Sequence, residues 1–376
     1  MKLHNSVIEL KNELVDLRRA LHRIPEESYH EYKTSHFIKE YLAALNPDSL
    51  TVIAKTGVKA VFDAGADKTI AIRADMDALP LEEKNNFPHK STHPGFMHAC
   101  GHDGHMAAAL CFAKIVSSRK KNLKTNFVFL FQPAEETIGG AQQMIKEGAL
   151  ANPQVDEIYG IHLWPTVPKD KIGLKDGPIM ANMCDMNIRI SGKSAHGAAP
   201  QDGKDALLAS ANFLVQAYSI ISRNIDPSKP AVLNIGRLKA GDARNIVCGE
   251  AIIEGTIRCF DDEVSEIIKN RINQIIKGID QAFGTQSEYF ETMGYPVLTN
   301  DSRLYLKTVS KFTESEIYNV SAVMMAEDFA YFAREIKGLY AFIGTGGKPL
   351  HSNSFDIDED VLSYALEFYI RVCDIE

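Results

Sequence analysis

The sequence predicts an α/β protein, with a larger domain on a mainly parallel sheet flanked by helices and a smaller ferredoxin-like α+β domain inserted into it. Two observations carry this. Short apolar runs rich in Ile, Val and Phe alternate with helix-period segments through the first half of the chain, as buried parallel strands and their crossover helices do. From about residue 182 the pattern changes to half-polar strands in the order βαββαβ. A length of 376 residues also exceeds what a single core usually fills, so two domains are expected.

Residues 5–23 carry apolar side chains at helical spacing interrupted by charge, and 31–45 form a second helix stopped by Asn46-Pro47. Strands are expected at 69–74, 127–131 and 157–162, with helices at 107–116 and 141–147 filling the gaps. Over 184–191, Asp185, Asn187 and Arg189 alternate with Met186, Ile188 and Ile190, which fits a strand with one wet face. A helix at 204–223, strands at 231–238 and 250–259, a long helix at 263–283 and a strand at 287–292 complete the inserted unit. The larger domain should therefore cover 1–182 and 294–376, and the inserted one 183–293.

The net charge of -8 argues against a nucleic-acid partner, which needs clustered Lys and Arg. The one basic cluster, Arg119-Lys120-Lys121, ends a helical stretch, where it complements the dipole. No apolar run reaches the ~18 residues of a membrane helix. The first segment lacks the apolar centre of a signal peptide, so a cytoplasmic location is expected. Six cysteines are scattered without paired spacing and read as reduced, buried thiols; only Cys100 lies among other donors.

The chemistry concentrates where the apolar runs end. Asp75 and Asp77 follow the first run, Glu135 and Glu136 the second, and His162 closes the third. Ligand crevices of open α/β sheets lie beyond the carboxyl ends of the strands, so three strands deliver these groups to one edge. Cys100 and His102 flank Gly101; a glycine turn can aim both at one ion, whereas a helix would splay them by about 200°. His98 and His105 in the same loop take supporting roles. His351 follows the flexible run Gly344-Thr345-Gly346-Gly347. Singly, each group has an ordinary reading: a buried thiol, a helix-start or core histidine, a solvated turn. Together Cys100, His102, Glu136, His162 and His351 offer five donors, enough for one closed site or for two ions sharing a ligand. Glu135 is a spare carboxylate of the kind that takes a proton from water beside a metal. In the inserted domain, His196 sits among small residues that leave it accessible, as an oxyanion donor would be. Asn245 lies in GDARNIV, and Arg258 ends a strand where it could pair with a carboxylate. The residues thus point to a metal-dependent hydrolase.

At these positions the chain resembles the aminoacylase and hippurate hydrolase-like metallopeptidases, the amidohydrolase branch that includes N-acetyldiaminopimelate deacetylases and auxin-conjugate hydrolases. The matching segments are LHRIPE (21–26), RADMDALP (73–80), MHACGHDGH (97–105), FQPAEE (131–136), GIHLWP (160–165), SAHGAAP (194–200), GDARNIV (241–247), AEDFA (326–330) and LHSNSF (350–355), spanning nearly the whole chain. The resemblance implies a catalytic α/β domain and a lid domain that mediates dimerisation in many relatives. It implies that Cys100, His102, Glu136, His162 and His351 hold two divalent metal ions and that Glu135 is the general base. His196 matches the lid-domain histidine, which in related enzymes can reach a partner subunit's active site. Asn245 and Arg258 fall near the family's contacts to the substrate carbonyl and carboxylate, and Asp77 looks like the carboxylate that orients a ligand histidine. One departure, the missing glycine after the PE pair of LHRIPEES, touches no catalytic role.

The expected reaction is hydrolysis of the amide bond of N-acyl amino acids, for example N-acetyl or N-benzoyl, to a carboxylate and a free amino acid. A metallo-dipeptidase differs only in admitting a free substrate amine. A binding protein without catalysis would not need Glu135, and a thiol enzyme using Cys100 would work without metal. Cysteine leans toward zinc, and the mixed donors also allow manganese, cobalt or nickel. The partners expected are the small-molecule substrate and a second copy of the chain, with neither nucleic acid nor membrane.

Overall fold

A computed structural model describes residues 1–375. The chain opens with helices α1 (Asn5–His22) and α2 (Tyr32–Ala44), then strands β1 (Ser49–Ile53), β2 (Gly57–Phe62) and β3 (Thr69–Asp75). Helix α3 (His102–Arg119), β4 (Asn126–Gln132), α4 (Ala141–Lys146), β5 (Glu157–Trp164), β6 (Ile172–Leu174) and β7 (Gly177–Met180) follow. Next come β8 (Met183–Ser191), β9 (Ala195–His196), α5 (Ala206–Ala217), α6 (Ser219–Asn224), β10 (Ala231–Ala240) and β11 (Ile246–Val247). After β12 (Glu250–Cys259), α7 (Asp262–Phe283), β13 (Gln286–Tyr295) and β14 (Leu298–Asn300), the chain ends with α8 (Ser302–Val309), β15 (Ile317–Asn319), α9 (Phe329–Glu335), β16 (Lys337–Gly344) and α10 (Val361–Val372). It divides into two compact units, one of Met1–Gly177, Thr299–Ser321 and the chain from Asp328 onward, the other of Pro178–Leu298 and Ala322–Glu327.

The first unit is built on an eight-stranded sheet of order β1-β2-β4-β3-β5-β16-β6-β15. Its centre, β4-β3-β5-β16, is parallel, and these strands are buried almost throughout. Their continuous apolar sequences are what burial on both faces demands. The parallel direction brings every C-terminal end to one edge. Asp75 pairs with Gln132 and Arg73 with Gly160; two residues further along, that register puts Asp75 level with His162. Helix α3 packs on β3, β4 and β5 and is itself covered by α1 and α10, so that nearly every side chain from His102 to Val116 is buried. Its small residues Ala107, Ala108 and Ala109 permit that close packing. Phe62, Phe112, Phe127, Phe129 and Phe131 are fully buried in the same core, each contributing roughly 1.5–3 kcal/mol by removal from water.

The second unit is a four-stranded antiparallel sheet of order β10-β12-β8-β13, packed against α5, α6 and α7. This is the ferredoxin-like βαββαβ arrangement. Along β8, Cys184, Met186, Ile188 and Ile190 are buried while Asp185, Asn187 and Arg189 are not, as the alternation requires. Helix α7 buries Val264, Ile268, Ile272, Ile275, Ile276 and Ile279 on one stripe. It starts where the Asp261 carboxylate accepts the Glu263 N–H and stops at Gly284, whose φ is 68°. The single helix expected over 204–223 is two helices meeting at Tyr218, whose hydroxyl accepts the Ile235 N–H at 3.2 Å.

Candidate metal centre

The groups at the strand ends converge within the first unit. Gly101 adopts φ 85°, a left-handed turn that costs glycine little, and His102 begins α3. Donor atoms of Cys100, His102 and His162 lie within 4.8 Å of one another, as do those of Cys100, Glu136 and His351, and those of His102, Glu135 and Glu136. The first two groups share Cys100. The segment carrying Glu135 and Glu136 is a turn, and an oxygen of each lies within 4.8 Å of a His102 ring nitrogen and of the other.

The spacings suit cations. Cys100 Sγ stands 3.4 Å from His162 Nε2 and 3.4 Å from His351 Nε2. His102 Nε2 is 3.7 Å from Glu136 Oε1, and His351 Nε2 is 3.6 Å from Glu136 Oε2. Two ligands about 2.1–2.3 Å from one tetrahedral ion lie about 3.4–3.8 Å apart. His102 Nε2 and Glu136 Oε1 are buried and make no hydrogen bond among the described residues, a costly state unless something else satisfies them. Their ring partners are fixed: His102 Nδ1 donates to the Asp77 carbonyl at 2.9 Å and His162 Nδ1 to the Leu163 carbonyl at 2.9 Å. Each Nε2 therefore faces the cluster.

Electrostatics agree. Burial, with Glu136 and Glu135 beside it, pushes the Cys100 thiol well up. Burial together with Asp77 also raises the Glu136 carboxyl against the pull of His102. Burial opposes a charge on His102, yet Asp75, Asp77 and Glu136 outweigh it and push the imidazole up to about 10. Negative groups are thus packed where a positive charge is wanted, and a divalent cation would displace the thiol and imidazole protons. A sulfur, imidazoles and a carboxylate form a donor set for zinc or its neighbours. The residues fit a metal centre.

Around the donors lies a polar scaffold that the sequence pattern only partly exposes. Asp77 Oδ2 accepts the Ser28 hydroxyl at 2.7 Å and the Glu136 N–H at 3.0 Å. The departure after the PE pair is therefore not remote from the site, since Ser28 holds Asp77. His105 donates to Asp75 Oδ1 at 2.6 Å and accepts the Leu163 N–H at 2.9 Å; both nitrogens are engaged, so it supports rather than ligates. His98 is buried, its ring nitrogens lack partners among the described residues, and burial pushes it down to about 3. Arg73 spans Gln132 (2.8 Å), Asp75 (2.8 Å) and Asp328 (2.9 Å) in the buried floor. Arg73, Asp75, Gln132 and Asp328 escaped the sequence reading as a network; the position of Asp75 at a strand end was the available signal.

In the second unit, β9 pairs with β11 so that His196 lies opposite Ile246. His196 and Asn245 are both exposed, and the Gly197 N–H donates to the Asn245 carbonyl at 2.7 Å, so the two stand on one short ribbon. Arg258 is half-buried, donates to the Met324 carbonyl at 3.4 Å, and is pulled down by burial against the effect of Asp185. All six cysteines are buried and free of disulfides. Among the described residues no helix is long and apolar enough to cross a membrane.

Known proteins are similar to this chain along nearly its whole length. The chain is 36% identical over 363 residues to the N-acetyl-L-cysteine deacetylase of Bacillus subtilis (strain 168), covering 96% of this chain and 87% of that one. It is 36% identical over 369 residues to the N-acetyldiaminopimelate deacetylase of Listeria monocytogenes serotype 4a (strain HCC23), covering 96% and 98% respectively. The crystal structure of the Bacillus subtilis YXEP protein, described as a dinuclear metal binding peptidase from the M20 family, superposes with a TM-score of 0.85 at 30% identity, covering 98% of each chain. Residues 71–374 match Peptidase family M20/M25/M40, and with these relatives the chain belongs to that family.

Proposed function

We propose that this protein is a metal-dependent amidohydrolase that cleaves N-acyl amino acids, such as N-acetyl or N-benzoyl derivatives, to a carboxylate and a free amino acid. The observation that carries the reading is a second carboxylate beside the donors. An oxygen of Glu135 lies within 4.8 Å of donor atoms of His102 and Glu136, beside the five residues that would hold the cations. The names of the two deacetylase relatives supply the substrate class.

In this reading Cys100, His102, Glu136, His162 and His351 hold two divalent cations, zinc or manganese, with cobalt or nickel as substitutes. When bound, such cations supply Lewis acidity that polarises an amide carbonyl and acidifies water. Glu135 takes the proton from the attacking water and returns it to the amide nitrogen as the C–N bond breaks, so that the amine leaves neutral. His196 donates to the developing oxyanion, Asn245 contacts the carbonyl, and Arg258 pairs with the substrate carboxylate. Asp77 keeps His102 in its ligating orientation. The enzyme would work in the cytoplasm as a homodimer formed through residues 183–293.

The test is a panel of N-acyl amino acids and dipeptides offered to metal-stripped protein restored with each metal in turn. Dipeptide turnover above that of every N-acyl amino acid would move the assignment to a metallo-dipeptidase. Activity that survives a strong chelator would instead favour a thiol mechanism at Cys100. Glu135→Gln should retain metal and lose about 10²–10⁴-fold in kcat; near-normal turnover would refute its role as base.

A further inference from the structure

Residues 133–140 form the loop that bears both acidic groups, and buried carboxylates grip its backbone. Asp77 accepts the Glu136 N–H at 3.0 Å, and just past the loop Asp328 accepts the N–H of Ala141, the first residue of α4, at 3.0 Å. The third grip comes from outside the sheet. Glu31, which immediately precedes α2, is fully buried. One of its oxygens accepts the Ala134 N–H at 3.0 Å and the other the Thr56 hydroxyl at 2.6 Å. Ala134 itself is buried with φ 59°. A non-glycine residue pays about 1–2 kcal/mol to stand in that left-handed conformation and persists there only when its surroundings hold it. Nearby residues reinforce the hold, since the Tyr29 hydroxyl donates to the Gly139 carbonyl at 3.3 Å and Ser28 secures Asp77 at 2.7 Å.

We infer that Glu31 is a positioning residue: by accepting the Ala134 N–H it maintains the left-handed turn that sends two successive side chains, Glu135 and Glu136, into the same donor cluster. A carboxylate buried beside the acidic Asp77 is an expensive group to keep merely for packing. Its two oxygens accept from Ala134 and Thr56, and among the described residues it makes no hydrogen bond to any of the five donors. Glu31 therefore acts through the backbone of Ala134, and its contribution to the reaction is the aim of the pair. This inference rests on the proposed function for its catalytic part and on the donor geometry alone for its metal-binding part.

Glu31→Gln and Glu31→Ala test it in the full chain, with cobalt(II) added to the metal-stripped protein as the probe. Glutamine keeps the volume but offers one acceptor oxygen where Ala134 and Thr56 need two. We expect cobalt affinity to fall about 10- to 100-fold, the usual cost of losing a group that orients a ligand. The same factor should appear in kcat, with KM within about twofold. Adding Ala134→Gly to Glu31→Gln should recover part of the affinity, because glycine takes a positive φ without penalty. A lowered melting temperature with unchanged cobalt affinity, cobalt spectrum and kcat would overturn the inference and leave Glu31 a packing residue; so would the absence of any recovery by Ala134→Gly. If Glu31→Ala does not fold, the glutamine variant decides. Wild-type protein that hydrolyses no N-acyl amino acid would defeat the proposed function, while the cobalt titration would still judge Glu31.

Discussion

A single methyl group placed on Gly140 should disable the candidate centre without altering any of its five donor residues. Gly140 has φ −95° and ψ −21°, a conformation alanine adopts freely, so the obstacle is space. A Cβ there would sit 1.9 Å from the Pro133 carbonyl oxygen and 2.9 Å from its carbon, whereas real Cβ contacts essentially never fall under 3.0 Å. The backbone at one end of the loop must therefore move by about 1.1 Å, the difference between 3.0 and 1.9 Å. Pro133 and Gly140 bracket Glu135 and Glu136, so the shift passes to both carboxylates. Misplacement by about 1 Å costs on the order of 10²-fold in rate, and overpacking costs typically about 1–3 kcal/mol of stability. Gly140→Ala should thus show kcat down by about 100-fold and weaker cobalt binding, measured by steady-state kinetics and by titration of the metal-stripped protein. Wild-type kcat and affinity in a folded Gly140→Ala protein would refute the claim that the two backbones must stay in contact for the site to form.

Other outcomes follow from the same geometry. Arg73→Leu leaves Asp75 and Asp328 buried without their shared cation, which should cost about 3–5 kcal/mol in urea unfolding; a loss under about 1 kcal/mol would contradict it. Cys100→Ser should abolish the sulfur-to-cobalt charge-transfer absorption of the cobalt form and weaken binding by more than the roughly 10- to 100-fold typical of outlying partners; a persisting band would exclude the thiolate as ligand. For Asp103, burial alone would raise the pKa, but Arg18 at 2.8 Å and His22 at 2.7 Å hold the carboxyl well below the usual range. Its stabilising contribution is therefore complete above the unfolded value near ~4 and is lost as pH falls, at up to about 1.4 kcal/mol per pH unit. Asp103→Asn should flatten the dependence of unfolding free energy on pH between about 4 and 3, and an unchanged slope would count against the buried ion pair.

Much of this architecture was legible because burial on both faces forces continuous apolar strands. The runs ending at Asp75, Gln132 and His162 announced themselves, and so did the alternation around Asp185, Asn187 and Arg189. The stripe of α7 was equally plain, from Val264 to Ile279. Strands β1 and β2 were harder: they carry polar residues, and Lys59 is buried because its ammonium reaches the Gly148 and Ala151 carbonyls at 2.9 and 2.5 Å, contacts with no local signature. The donors were readable because sulfur and imidazole are rare groups with few uses. Glu31 was not, since an acid just before a helix looks like an ordinary helix start and its real partner is a backbone N–H 103 positions away. Every residue but proline owns such a donor, so composition cannot mark the one that matters. The meeting of Glu135 and Glu136 at one edge was expected, but not the backbone torsion at Ala134 that aims them, φ 59°.

The donor set also imposes an order on biosynthesis. Cys100 Sγ and His351 Nε2 stand 3.4 Å apart across 251 positions of sequence, with the whole second unit translated in between. A chain still on the ribosome holds the thiol and two imidazoles early, but its last imidazole emerges only after the ferredoxin-like unit has had time to fold by itself. Cation capture by the full set is thereby deferred until the second unit has been made, and ion loading ties the segment that follows that unit to the one that precedes it.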